Sequence, residues 1–260
     1  RLVPAAEERN VTPVTTFLSY NCTGLSGQKC DWLNSLCDTV NVTYVAVQEH
    51  FRKSKTIDKF FKDQFKNYNS YVIPGYREAG QTRGRPIAGI AQLSKSDVAV
   101  RKDRVMCDSK RVQAQVLNFA TTRLLWINAY LPSDSHTGPA VFDDTELLSV
   151  LSDIEAVLDN TQFDDVLISA DMNYDMSRQT GHAVTVRRFL DRLNLCSVWE
   201  EHPIDFTHIH TDNKAVSTLD HFICNARLLQ FVTDCNVMHL GDNTSRHSPI
   251  VLKLNLGALP

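Results

Sequence analysis

Polar residues of a particular kind stand where the apolar runs of this sequence stop. The run FLSY leads into Asn21, YVAVQ into Glu49, LLWINA into Tyr130, and VLISA into Asp171 and Asn173. Later, TL leads into Asp220, and the polar stretch GDNTSRH delivers His247 just before a last apolar run that begins at Pro249. Each has an ordinary explanation by itself. Asp and Asn favour turns, Glu49 suits an exposed strand end, Tyr130 suits a packed aromatic whose hydroxyl finds water, and His247 suits a satisfied loop histidine. In order along one chain they amount to three acids, two amides, one phenol and one imidazole. Such a set binds a hard cation and activates water. Magnesium takes few carboxylates and keeps waters or phosphate oxygens in its shell, so Glu49 with one further acid is enough.

These residues need rigid elements to hold them, and in α/β folds sites gather beyond strand ends. Short β-branched runs alternate here with helical patterns. Strands are predicted at Val14–Tyr20, Tyr44–Gln48, Ile87–Leu93, Val98–Arg101, Val112–Phe119, Arg123–Ala129, Val166–Ala170, Thr218–Cys224, Thr233–His239 and Pro249–Leu254. The run VQAQVLNF alternates apolar and polar residues, as a strand covered on one face does. Helices are predicted at Gln28–Val40, Ile57–Asn67, Asp143–Leu158 and Val184–Leu193. The third is opened by Asp143 or Asp144 and carries Leu147, Leu148, Leu151, Ile154 and Leu158 on one face. This order implies an α/β protein with two packed β-sheets and helices outside. One domain over residues 14–256 is expected, because strands at both ends of the chain complete the sheets; residues 1–13 read as a linker. If the chain stays extended through Asp171 and Asn173, both project to the same side.

Composition narrows the class. The chain has 260 residues, 43% hydrophobic and 22% charged, which is ordinary for a globular protein. No run approaches the roughly 18 apolar residues of a membrane helix, so no membrane partner is expected. The sequence opens on Arg1 and reads as a segment of something longer. A net charge of −3 excludes a uniformly basic nucleic-acid binder but leaves room for local patches. Lys and Arg gather at Arg52–Lys66, Arg77–Arg85 and Arg101–Arg111; taken singly, such runs are ordinarily solvated faces. Seven cysteines without regular spacing or a CxxC pair make neither a disulfide framework nor a zinc site. Glycosylation sequons begin at Asn10, Asn21, Asn41 and Asn243. Glycans on two of them would block the strand-end cluster, which favours a reducing, intracellular compartment.

The ordered series Asn21, Gln48-Glu49, Tyr130, Asp171-x-Asn173, Asp220 and His247 resembles the motifs of the endonuclease/exonuclease/phosphatase superfamily. Abasic-site endonucleases, DNase I, inositol-polyphosphate phosphatases and deadenylases belong to it. The resemblance implies two packed mixed β-sheets flanked by helices, the four-layer αββα sandwich of DNase I-like proteins. Within the superfamily, SYNCTGL, VQEHF, GRPIAGIAQL and DFTHIHTDNKAVSTLDHF resemble the endonuclease domain of LINE-type (non-LTR) retrotransposons. In that family the domain precedes a reverse transcriptase and nicks target DNA, and the freed 3′-hydroxyl primes reverse transcription. The resemblance therefore implies a nuclear enzyme acting on double-stranded DNA, with a fused reverse transcriptase in the parent protein.

It also implies roles. Mg2+, or Mn2+ in its place, is held mainly by Glu49 and oriented by Asn21. His247 is the general base for the attacking water, with Asp220 fixing its tautomer. Asp171 either shares the base role or protonates the leaving 3′-oxygen, while Asn173 and Tyr130 bind phosphate oxygens. Thr207 and Ser245 support the phosphate site. Ser217, in the hairpin segment THIHTDNKAVS, together with Arg178 and the basic stretches at 77–85 and 101–111, adds DNA contacts. One position departs from the family: Ser245-Arg246-His247 puts a cation where an acid is expected. Arg246 then contacts phosphate, weakens activity, or merely points to solvent. Three other readings stand beside the nicking enzyme. One is a phosphatase of the same fold, although YDMSRQTGH lacks that group's aromatic and basic motif. The others are an abasic-site repair endonuclease and a DNA-binding domain inactivated at Arg246.

Overall fold

The computed structural model of the chain describes residues 14–77, 83–133, 144–179, 181–211 and 214–258; the predicted linker 1–13 and Asp143 lie outside them. Its first half comprises β1 (Thr15–Asn21), α1 (Gly27–Val40), β2 (Tyr44–Gln48), α2 (Ile57–Gln64), β3 (Tyr68–Ile73), β4 (Ile90–Lys95), β5 (Arg101–Val105), β6 (Val112–Asn118) and β7 (Arg123–Tyr130). There follow α3 (Thr145–Asp159), β8 (Asp165–Asp171), α4 (Gly181–Arg192), β9 (Leu195–Ser197), β10 (His208–Ile209), β11 (Val216–Ser217), β12 (Asp220–Asn225), α5 (Ala226–Leu229), β13 (Val232–Val237) and β14 (Ile250–Leu254).

The strands form two six-stranded mixed sheets, ordered β13-β14-β1-β2-β4-β3 and β5-β6-β7-β8-β12-β9, with β10 and β11 as a separate hairpin. The central strands read as near-continuous apolar runs because both their faces are covered. Between the sheets lies a core of Phe17, Tyr44, Trp126, Leu167, Phe222 and Ile250. Phe17 stacks on Tyr44 with ring centroids 4.9 Å apart, and Trp126 meets both edge-on. Truncating so large a buried ring as Trp126 to Ala would cost about 3–5 kcal/mol. A second core under α1 and α2, with Leu33, Val45 and Phe61, covers the outer face of the first sheet. A third, under α3 and α4, with Leu151, Ile168 and Val186, covers that of the second. Helices, two sheets and helices thus stack as four layers.

Polar side chains stitch the sheets together near one edge of the sandwich. Gln48 Nε2 donates to Asn128 Oδ1 at 2.9 Å and to Ser19 Oγ at 3.0 Å, and Asn128 Nδ2 donates to the carbonyls of Val47 and Ala91. These buried amides lose their bonds if either sheet slips, so they fix the register across the core.

Register is what gathers the site. β1 runs parallel to β2 with Asn21 opposite Gln48. β7 runs parallel to β8 with Tyr130 opposite Asp171, and β12 runs antiparallel to β8 with Asp220 opposite Asp171. The predicted strands and helices are present, with shifted ends at several places. Ile87–Leu93 begins as a strand only at Ile90, because Ala88 and Gly89 have φ of +53° and +88°. The strand predicted at Val98–Arg101 lies at Arg101–Val105, a charged edge strand paired to β6. The second helix stops at Gln64 rather than Asn67, since Tyr68 opens the unpredicted edge strand β3. Asp144 occupies the N-terminal cap position of α3 without making a side-chain cap bond.

Candidate active site

Three segments leave their strands through left-handed residues: Thr23 (φ +44°), Glu49 and Phe51 (both +54°), and Asn173 (+55°). None of these is glycine, and each such residue costs of order 1 kcal/mol, a strain that concentrates at functional sites. Asn173 therefore does not continue the extended line of Asp171. Its backbone N–H turns back to Asp171 Oδ1 at 2.9 Å, and its Nδ2 donates to the Leu131 carbonyl at 2.7 Å. The turn explanation of Asp-x-Asn and its place in the cluster both hold.

Side-chain hydrogen bonds tie members of the cluster in pairs. Asn21 Nδ2 donates to Asp171 Oδ2 at 2.7 Å, across 150 residues of sequence. The Tyr130 hydroxyl donates to Glu49 Oε1. His247 Nδ1 bonds Asp220 Oδ2 at 2.8 Å, which leaves Nε2 as the nitrogen for a substrate. Ligand atoms of Asp171, Asp220 and His247 lie within 4.8 Å of one another, and all three residues are buried. The seven residues singled out in the sequence are thereby joined through β1, β2, β7, β8, β12 and the segment before β14.

Burial and like charge set the proton positions. Desolvation raises the Asp171 carboxyl to about 7; Asp220 adds to the rise, while His247 and Asn21 oppose it. Desolvation would lower His247, but Asp220 and Asp171 beside it outweigh that and raise it to about 9. Tyr130 is pushed well above the usual phenol range by burial and by Glu49. Both Asp171 and His247 are thus raised, within 4.8 Å of each other and of Asp220.

Do these residues fit a divalent cation? Asp220 Oδ1 is buried without a hydrogen-bond partner. Two buried carboxylates, one with an unpartnered oxygen, and a nearby Glu49 make a hard, anionic donor set of the kind Mg2+ or Mn2+ takes. The set fits. Asn21 orients Asp171 through Nδ2, and its Oδ1 accepts the Thr23 N–H at 2.9 Å with a second lone pair left for a ligand.

The remaining candidates divide. Thr207 Oγ1 accepts the N–H groups of Leu219 and Asp220, both at 3.0 Å, and is fully buried; it holds the start of β12. Ser245 Oγ donates to the Asn21 carbonyl at 2.8 Å and accepts the His247 N–H at 3.2 Å, tying the first and last segments together. Ser217 is buried and bonded to His210 Nε2 at 3.1 Å. Arg178 is exposed, 3.6 Å from Asp175, and Arg246 is exposed. Of the basic stretches, Arg101 pairs with Asp103 on an edge strand two strands away from β7, whereas Arg111 is buried with its guanidinium 4.9 Å from the Tyr130 ring. All seven cysteines are free thiols.

Three supports escaped sequence reasoning. Arg111 backs Tyr130. Asn243 receives the Tyr20 hydroxyl at 2.7 Å and donates to the His247 carbonyl at 2.7 Å. His208 lays its ring 4.5 Å from that of His247. Each lay in a stretch the sequence marks, the basic run 101–111, the polar run before His247 and the segment THIHTDNKAVS, but none stood out within it.

No protein-family model matches the chain, and no curated protein sequence does. Solved structures do. The AP endonuclease LMAP from Leishmania major is similar at TM-score 0.69 and 15% identity, over 93% of this chain and 87% of that one. An AP endonuclease from Archaeoglobus fulgidus gives TM-score 0.69 and 15% identity over 92% and 99%. The endonuclease domain of TRAS1, a telomere-specific non-LTR retrotransposon, gives 0.68 and 14% over 94% and 99%. The fold is the DNase I-like sandwich of AP endonucleases.

Proposed function

We propose that this chain is a divalent-metal-dependent DNA endonuclease that nicks one strand of a duplex and leaves a 3′-hydroxyl. The observation that carries the reading is the meeting of Glu49, Asp171, Asp220 and His247 at one edge of the sandwich, with Asn21 and Tyr130 bonded into the set. The printed names of similar structures, AP endonucleases and a retrotransposon endonuclease domain, support it. Motifs resembling LINE-type endonucleases support the finer reading. The nick primes target-primed reverse transcription by a fused reverse transcriptase, in a protein working in the nucleus. Residues 14–256 act as one domain.

Glu49 and Asp220, whose Oδ1 has no other partner, would hold Mg2+ or Mn2+ beside Asp171. When bound, the ion supplies charge neutralisation at the phosphoryl oxygens. His247, protonated and fixed by Asp220, presents Nε2 to a non-bridging phosphate oxygen and offsets charge as it develops. Asp171, its carboxyl raised by burial, accepts the proton of the water that attacks phosphorus; the P–O3′ bond breaks, and the departing 3′-oxygen takes up a proton from water to become the 3′-hydroxyl. Here Asp171 takes the base role read from sequence for His247, whose hold on its proton the neighbouring Asp220 and Asp171 strengthen. Arg178 and the exposed cations near the rim contact backbone phosphates.

The test is incubation with supercoiled plasmid, with and without Mg2+, followed by mapping of nicks and their end chemistry. Mg2+-dependent open circles with 3′-hydroxyl ends are expected. Release of inorganic phosphate without nicking would replace this reading with a phosphatase. A preference for an abasic duplex over plain plasmid would replace it with a repair enzyme.

A further inference from the structure

Beside the cluster, on the side of the β10–β11 hairpin, lies a separate cavity of about 510 Å3. Two cations from distant segments line it: Lys214 from the hairpin and Arg246 from the segment that carries His247. Both are exposed, and neither has a hydrogen-bond or ion-pair partner among the described residues. No carboxylate is among the described lining residues. His210, also in the lining, is fixed by its Nε2 bond to Ser217 at 3.1 Å. The remaining wall includes Ile209, which is 43% exposed, and Leu240.

The cavity is tied rigidly to the catalytic segment. The Ile209 N–H donates to the Arg246 carbonyl at 3.1 Å and the Ser248 N–H to the Thr207 carbonyl at 2.7 Å, so hairpin and His247 segment form one short ladder. Whatever occupies the cavity therefore lies at a fixed offset from Nε2 of His247. An Arg and a Lys from two walls, unpartnered and with no carboxylate among the described lining residues, suit a compact anion. The apolar wall suits the sugar attached to it.

We infer that this cavity binds one non-scissile backbone phosphate of the nicked strand, held jointly by Arg246 and Lys214. The inference rests on the DNA-cleaving reading and deepens it: the cation at position 246 is an added strand-registering contact, not a defect of the metal site.

The experiment is a salt titration of duplex-DNA affinity for the full chain, with Ca2+ replacing Mg2+, in wild type, R246Q, K214Q and the double variant. If one phosphate is shared, the double variant loses about tenfold in affinity, and the slope of log K against log salt falls by about 1, not 2. R246D, which adds repulsion, loses more affinity than R246Q. Thermal melting of the variants matches wild type, because both side chains are exposed. Unchanged slope and affinity in the double variant would overturn the inference, as would tighter binding by R246D. A requirement for a 5′-phosphoryl end next to the nick site would also overturn it, since the occupant would then be a terminal phosphate. If wild type neither binds nor nicks DNA, the parent reading fails instead; if it does both while the variants keep its salt slope, only the cavity assignment fails.

Discussion

Tyr130 and Glu49 meet across the gap between the two sheets: the phenol, at the end of β7, donates to the carboxylate that follows β2. Glu49 is held in a left-handed conformation, and the Arg111 guanidinium backs the Tyr130 ring at 4.9 Å. Tyr130→Phe keeps the ring on Arg111 and removes only the donor. A hydrogen bond to a charged group contributes about 1.5–3 kcal/mol, so nicking should fall by about tenfold to a hundredfold, with more Mg2+ needed for half-maximal rate. A Mg2+ titration of nicking rate checks this. An unchanged midpoint and rate would make the bond purely architectural.

Asp171 carries the second prediction. Its carboxyl is raised to about 7 by burial and by Asp220. A raised folded value adds stability below the unfolded value near 4 and loses it as pH climbs through about 7. At pH 8, in a chelator, ionised Asp171 therefore works against the fold. Asp171→Asn should melt higher than wild type there, gain less from added Mg2+, and lose about 10²–10⁴ in nicking rate. His247→Ala should lose a similar factor in rate. Melts with and without Mg2+ decide it; a lower melting point for Asp171→Asn in chelator contradicts the argument.

How far the site was legible depended on what held each residue. Asn21, Tyr130, Asp171 and Asp220 end or begin strands, and Glu49 directly follows one, whose apolar runs are plain in the sequence, so their convergence follows from sheet register. Strands β9, β10 and β11 are only two or three residues long, too short for any period to appear. The edge strand β3, YNSYVI, is mostly half-buried and lacks a clear apolar run. Arg111 looked like one of a solvated basic run, and only the fold shows it buried behind Tyr130. Two sequon residues, Asn21 and Asn243, spend their side chains inside the cluster, on Asp171, Thr23, Tyr20 and His247. Asp-x-Asn reads in the sequence both as a turn and as site residues, and the left-handed Asn173 serves both.

Two buried histidines outside the cluster predict acid sensitivity. Desolvation lowers His50 and His221 to about 4. His50 accepts the Arg52 N–H on Nδ1 at 3.0 Å and bonds the Ile73 carbonyl through Nε2 at 3.0 Å, which requires the neutral ring. A depressed folded value gives stability that is complete above the unfolded value near 6.5 and drains away as pH falls toward 4. Between pH 7 and 5 the loss should be on the order of 2 kcal/mol per histidine. Denaturant melts at the two pH values measure it. Imidazole NMR should show both rings still neutral at pH 5, and protonation of either near 6.5 contradicts the assignment.

Gly89 tests how tightly the Glu49 segment is clamped. The His50 N–H donates to the Gly89 carbonyl at 3.1 Å and the Phe51 N–H to that of Ala88 at 3.2 Å, so this pair of residues holds the turn just after Glu49. Gly89 has φ of +88°, and a Cβ there would sit 2.6 Å from His50 Cε1, 2.8 Å from Nδ1 and 3.0 Å from the Gly75 nitrogen. The imidazole is bonded at both nitrogens and cannot swing away without breaking a bond. Gly89→Ala should therefore cost about 2–4 kcal/mol in stability and raise the Mg2+ needed for nicking. Gly84 provides the control. Its φ is +96°, but a Cβ would meet nothing within 4 Å, so Gly84→Ala carries only the left-handed penalty of about 1–2 kcal/mol and leaves the Mg2+ midpoint in place. Equal effects of the two substitutions on stability and on the Mg2+ midpoint would mean that backbone strain alone matters and that the Gly89–His50 contact does not position Glu49.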